Sequence, residues 1–285
     1  WSSDVCSSDL EADVTRLVKW RNRTKDAFFK REGVALTFMP AIAEATAKAL
    51  AEFPHVNASV DGYKVILKKH INLGIAVSLP DGNLIVPVIH DADKLNLNGL
   101  AANIDTLAAK ARTGKLMPDD IQGGTFTITN FGSFKSLFGT PIINQPQAAI
   151  LGTGALVKRP MVVKDPMLGE VIAVRDMMYL SLSYDHRLVD GADAARFLSA
   201  VKSRLEAGDF AADIQLQART REMRDIEDSL AERILFGDLH PGEIVVVDVA
   251  PEGSELPFTF TGQPQAALPD HAPVELSGPD EQATA

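Results

Sequence analysis

His186 stands in the segment Tyr184-Asp185-His186-Arg187-Leu188-Val189-Asp190-Gly191. An imidazole ionises near pH 6.5, so a positioned histidine can take a proton from a substrate near neutrality. The residues before it, Met178 to Asp185, alternate: Met178, Leu180, Leu182 and Tyr184 on one side, Tyr179, Ser181 and Ser183 on the other. That spacing predicts a half-buried strand with His186 at its C-terminal end. A strand end delivers a side chain rigidly into a cleft. Asp190, four residues on, is placed to fix either the loop or the ring, and Gly191 frees the backbone to turn. A hydrogen-bonded structural histidine has the same spacing, so these residues alone leave both readings open. Thr125, Thr127 and Thr129 offer hydroxyl donors on one side of a second strand, and threonine is also an ordinary strand residue. His55, His70 and His90 are scattered without metal-ligand spacing and read as surface or structural. Gly152-Thr153-Gly154 is an isolated pair of glycines in a strand, read as a bend.

The elements that must hold these residues follow from periodicity. Val14, Leu17, Val18 and Arg21 begin a helix, and a second, alanine-rich one runs from Thr37 to Phe53 before Pro54. Val65 to Leu67, Ile75 to Val77 and Leu84 to Ile89 read as strands, with Asp81-Gly82 turning a hairpin between the last two. Leu97, Leu100, Ile104, Leu107 and Ala111 recur at helical spacing. Thr125 to Asn130 and Ala148 to Val157 are strands. Ala194, Phe197, Leu198, Val201 and Leu205 form the apolar stripe of a last helix, closed by Gly208. Helices mixed with hairpins predict an α+β sandwich with a mixed sheet.

The chain has 285 residues and a formal net charge of −10. Of its 28 Lys+Arg and 38 Asp+Glu, residues 216–285 hold 4 and 14, leaving 24 of each sign before them. A neutral core with an acidic tail makes no electrostatic case for nucleic-acid binding. No apolar run reaches the length of a transmembrane helix, no signal peptide is visible, and the single Cys6 rules out an internal disulfide. A cytoplasmic location is expected, and no metal site. Residues 1–10 repeat Ser-Ser-Asp at 2–4 and 7–9 without strand or helix period. They resemble translated sequencing-adapter read-through and are expected to be an artefact or disordered, outside the fold.

Four segments carry a resemblance. They are Leu180 to Gly191 with its D-H-R-x-x-D-G pattern, Gly123-Gly124-Thr125-Phe126-Thr127-Ile128-Thr129-Asn130, Pro141 to Gly152, and Asn72 to Val77 with the following Val86 to Ile89. In order and spacing they resemble the catalytic domains of the dihydrolipoyl acyltransferases of 2-oxo acid dehydrogenase complexes, from about Glu11 to Ile214, with an actinobacterial flavour. The resemblance implies a chloramphenicol acetyltransferase-like two-layer sandwich and a homotrimer, possibly within a higher core assembly, with active sites between subunits. It implies that His186 is the base on the coenzyme A thiol and that Thr129 of a neighbouring subunit stabilises the tetrahedral oxyanion. Asp190 would hold the loop that places His186. It implies as partners the 2-oxo acid decarboxylase and dihydrolipoyl dehydrogenase components, with the lipoyl group supplied by a domain that this chain lacks. Threonine at 129, where acetyl-transferring relatives often carry serine, leans toward succinyl; acetyl is the alternative.

The expected organisation is therefore an acyltransferase catalytic domain over 11–215, N-terminally truncated, with its first helix and the strand before Glu11 missing. Lys135 departs from the family, falling in a turn where a small residue is commoner. Arg224 to Gly237 with Pro241 to Asp248 resembles the C-terminal end of a Clp-type AAA+ unfoldase, which makes 216–262 an unfoldase-like fragment and the chain a chimera. Residues 263–285, rich in Pro, Ala and Glu, are expected to be disordered. The chain has no phosphate-cradling G-x-x-x-x-G-K-[ST] loop. The competing reading is a non-catalytic piece: a truncated core with a chaperone-docking tail.

Overall fold

The computed structural model describes residues 5–208 and 210, and the backbone of two strands at 243–249 and 258–264. The chain divides into two units, Trp1–Gln217 and Ala218–Ala285. Of the second, the described part is an antiparallel pair, Glu243–Val249 with Phe258–Pro264. Of the expected unfoldase-like fragment, residues 216–242 lie outside the described residues, as does nearly all of the 263–285 tail.

The first unit is built on a seven-stranded mixed sheet. Its path runs β1 (Val5–Asp13), β11 (Gly169–Asp185), β9 (Ala149–Thr153), β8 (Phe126–Asn130), β4 (Leu73–Ile75) and β7 (Val88–Ile89), with β10 (Val157–Asp165) pairing the outer half of β11. β8 is parallel to both β4 and β9; the other pairs are antiparallel. Two short hairpins, β2–β3 (Ala58–Asp61, Lys64–Leu67) and β5–β6 (Val77–Ser78, Leu84–Ile85), stand apart from it. Four helices complete the layer: α1 (Thr15–Glu32), α2 (Met39–Glu52), α3 (Leu97–Arg112) and α4 (Gly191–Ala207). This is the α+β architecture expected.

The core forms where apolar faces of both kinds meet. Phe126, Ile128, Leu151, Leu180 and Leu182 are all fully buried. Phe197 of α4 lies between Phe126 of the sheet and Phe53 at the end of α2, with ring centroids 5.7 and 6.1 Å away. Burying such a ring contributes about 1.5–3 kcal/mol. Gly208 closes α4 with φ 60°. That left-handed cap is open to glycine at no steric cost.

Four expectations change. Residues 5–10 are not outside the fold: they are the first part of β1, paired with β11 from Val5↔Asp185 to Asp13↔Met177. The strand before Glu11 is thus present. Backbone pairing makes it, which explains why side-chain periodicity gave no sign. The stretch of β11 from Met178 to Tyr184 is not half-buried, because Ser181 and Ser183 are as inaccessible as Leu180 and Leu182. Strands flank it on both sides, and residues 131–148 lie over the second face of the sheet at Gly152 and Gly154. The runs Ile75 to Val77 and Leu84 to Ile89 are each two strands. The first is interrupted at Ala76, although its N–H still bonds Ile128 O at 2.9 Å in the β4–β8 ladder; the second breaks at Val86-Pro87, where proline has no N–H to give. The strand read over Ala148 to Val157 likewise breaks at Gly154.

Gly154 is there for space. A Cβ built on it would stand 1.8 Å from the carbonyl oxygen of Leu137, and Ala155 N bonds Ser136 O at 2.8 Å beside it. Gly154→Ala is expected to cost at least about 2 kcal/mol, lowering the melting temperature by roughly 4–10 °C. Gly82→Ala, strained by φ 84° but with open space around it, is expected to cost less, about 1 kcal/mol. Equal melting temperatures for the two variants would contradict this account.

Candidate functional site

β11 ends at Asp185, and residues 185–188 turn. Leu188 N and Val189 N both donate to Asp185 O at 3.0 Å, and Val189 is fully buried, pinning the turn to the core. His186 sits in this turn, one residue beyond the strand, and is exposed. Its ring lies 5.9 Å from that of Tyr184 and has no hydrogen-bond partner among the described residues. Asp190 caps α4: its Oδ1 accepts from Asp193 N at 2.8 Å. Of the two roles open to Asp190, the geometry favours the loop over the ring. Gly191 opens α4 without a left-handed backbone, so its expected turning role is not seen.

The three threonines separate by use. Thr125 Oγ1 accepts from Asn72 N at 3.0 Å, and Thr127 Oγ1 donates to Gln147 Oε1 at 2.7 Å. Thr129 is half-buried, and its hydroxyl has no partner among the described residues. It therefore remains available to a ligand.

His186 and Thr129 do not meet within one chain. Thr129 lies level with Gly152, and through it with Ser181. His186 is five residues farther along β11 and two strands across. At about 3.3 Å per residue and 4.8 Å per strand, the two are roughly 15–20 Å apart.

Beyond Thr129 the chain turns through Asn130 to Lys135. Ser133 N donates to Asn130 Oδ1, and Ser133 Oγ donates to Asn130 O at 3.0 Å. Lys135 takes φ 65°, a left-handed position that favours glycine, which explains the small residue expected there. Asn130, Ser133 and Phe134 form one wall of a cleft of about 460 Å³; Phe38, Met39, Ser78, Ile104 and Arg112 form others. The Arg21 guanidinium sits 5.1 Å over the Phe38 ring and bonds Leu36 O at 2.8 Å. The cleft is largely apolar within, with Arg112 and Asp105 as the charged residues of its lining. Sequence reading missed Arg112 and Ser133, which come from separate elements and carry no common spacing.

Two of the other described histidines have local partners. His70 Nδ1 bonds Asp91 Oδ1 at 2.6 Å, His90 Nε2 bonds Asp119 O at 3.1 Å, and His55 is exposed. Among the described residues no three His, Cys, Asp or Glu gather as a metal site, and no helix is long and apolar enough to cross a membrane.

The Asp193 backbone N–H holds the Asp190 carboxyl below its ordinary pKa, with smaller help from Ala192 N–H, Arg196 and His186. A carboxylate depressed by folding stabilises above its unfolded pKa and loses that contribution as pH falls through the folded one. Asp190→Ala is therefore expected to lower the melting temperature at neutral pH, with the gap to wild type closing below about pH 4. Asp190→Asn, still a cap, restores most of the loss at neutral pH. A gap that persists unchanged at pH 3 would refute the capping role.

Comparisons with known proteins agree with one another. The profile of the family described as "2-oxoacid dehydrogenases acyltransferase (catalytic domain)" matches residues 5–211. The dihydrolipoyllysine-residue acetyltransferase component of the pyruvate dehydrogenase complex of Mycobacterium bovis is 54% identical over 208 residues, 72% of this chain and 37% of that protein. The succinyltransferase component of the 2-oxoglutarate dehydrogenase complex of Bartonella vinsonii is 49% identical over 196 residues, 69% of this chain and 46% of that protein. The chain thus spans less than half the length of these relatives. Among solved structures, a probable dihydrolipoamide acetyltransferase from Listeria monocytogenes superposes with a TM-score of 0.68 at 46% identity, covering 71% of this chain and 84% of that one.

Proposed function

Since the chain belongs to the 2-oxoacid dehydrogenase acyltransferase (catalytic domain) family, we propose that it transfers an acyl group between dihydrolipoyl-lysine and coenzyme A, at a site that two copies of the chain complete. The observation that carries this reading is the strand end at Thr129. There one hydroxyl of three threonines is left without a partner among the described residues, far from the exposed imidazole of its own chain.

His186 removes the proton from the coenzyme A thiol. A free thiol ionises near pH 8.5, so little thiolate forms at pH 7 without a base. The thiolate attacks the carbonyl carbon of the acyl-dihydrolipoyl thioester, forming a new C–S bond and a tetrahedral oxyanion. The Thr129 hydroxyl of a neighbouring copy donates to that oxygen. Collapse of the intermediate breaks the old C–S bond, and the departing dihydrolipoyl sulfur takes the proton back from the imidazolium. Asp190 acts only through the loop, by capping α4 behind it.

The cleft beside Thr129 is assigned to coenzyme A. Its apolar walls suit the pantetheine arm, and Arg112 supplies charge for the phosphates. The acyl-lipoyl arm comes from a lipoyl domain, and the 2-oxo acid decarboxylase and dihydrolipoyl dehydrogenase components complete the cycle. A homotrimer is the proposed assembly. Threonine at 129 favours succinyl as the acyl group, with acetyl the alternative.

His186→Ala is expected to lower kcat about 10²–10⁴-fold and Thr129→Ala about 10²–10³-fold. Mixing the two inactive variants, unfolded and refolded together, should restore activity, because some sites then pair an intact His186 with an intact Thr129. Two inactive variants that stay inactive in verified mixed oligomers would overturn the shared site. In the reverse direction, succinyl-coenzyme A should give a higher kcat/KM than acetyl-coenzyme A with free dihydrolipoamide. The opposite ratio assigns the acetyl group instead.

A further inference from the structure

The His186 imidazole has no hydrogen bond of its own among the described residues, yet a base must be aimed. The only fixed geometry around it is on either side. Arg187 donates to the Asp185 carboxylate three ways: its backbone N at 3.0 Å, Nε at 2.9 Å and Nη2 at 2.6 Å. The bond pattern closes a ring from residue 185 to residue 187, with His186 between. Asp185 is the anchored end. Its N–H donates to Ala148 O at 2.8 Å, its carbonyl takes two N–H groups of the turn, and its side chain is 16% exposed against 55% for Arg187. Arg187 holds the Asp185 carboxyl below its usual range, so the clamp is charged on both sides at neutral pH.

We propose that Asp185 and Arg187 are positioning residues for His186: the bidentate clamp across residue 186 fixes the backbone on which the imidazole stands. The inference rests on the acyltransferase reading and adds two residues to it. Neither carboxylate nor guanidinium needs to touch substrate. Asp185 spends its oxygens on Arg187 rather than on the imidazole, so it serves as a brace and not as a partner of the ring. A planar guanidinium can make the two parallel bonds; a lysine ammonium, with the same charge, cannot.

The test uses the full chain, assayed with acyl-coenzyme A and free dihydrolipoamide. Misplacing a catalytic group by about 1 Å costs up to about 10²-fold in rate. Arg187→Met is therefore expected to lower kcat about 10- to 100-fold while both KM values stay within about twofold. Arg187→Lys should be nearly as slow, although it keeps the charge. Guanidinium ion added to Arg187→Ala should recover part of kcat, a response that a general loss of stability would not give. The double variant Asp185→Asn/Arg187→Met should be no slower than Arg187→Met alone, because both remove one clamp.

Wild-type kcat in Arg187→Met or Arg187→Lys overturns the proposal. So does a raised KM with kcat intact, which makes Arg187 a substrate contact, and so do losses that multiply in the double variant. If Arg187→Met fails to fold, Arg187→Lys and Asp185→Asn carry the same expectation and the same refutation. A wild-type chain without acyl transfer would sink the acyltransferase reading itself. An active wild type with an equally active Arg187→Lys would sink the clamp alone.

Discussion

The register between β9 and β11 is the constraint on which the site depends. It sets Ser181 opposite Gly152 and Tyr184 opposite Ala149. Because β9 is in turn parallel to β8, one ladder fixes how far the His186 turn overshoots the level of Thr129. Shifting a strand by one residue would reverse its faces, burying Ser181 and Ser183 in the helix-side core and turning Leu180 and Leu182 away from it. The apolar packing around Phe197 therefore holds the register, and the register holds the separation. Core and chemistry are joined through backbone pairing rather than through any direct contact.

Much of this was legible. Helical spacing placed α2, α3 and α4 within a few residues, because α3 and α4 each carry an apolar stripe and α2 is an alanine-rich run buried on nearly all sides. The D-H-R-x-x-D-G segment put His186 beside a strand end, and the structure places it there. Spacing alone could not rank the three threonines, and only the family resemblance singled out Thr129. The partners of Thr125 and Thr127, Asn72 and Gln147, which lie 53 and 20 residues away, supply the physical reason that Thr129 is left over. Strand lengths were also hidden: a proline at 87 splits what hydropathy joins.

Residues 5–10 illustrate a different limit. β1 is held by backbone hydrogen bonds to β11, which any non-proline sequence can supply. Its side chains, two serines and an aspartate among them, announce nothing. The Asp185–Arg187 pair was equally silent, since an Asp and an Arg two apart are commonplace and only the turn that starts at His186 lets the guanidinium fold back onto the carboxylate.

The distance between Thr129 and His186 has a consequence for how such an enzyme behaves in bulk. A chain that holds both halves of a site far apart is complete in composition and incomplete in geometry. Under the proposed division, activity per chain follows mass action: it is set by the fraction of chains that have found a neighbour, and falls on dilution through the dissociation constant of the assembly. Catalysis and association then form a single equilibrium, and a monomer released from the assembly is switched off without any change in its own fold.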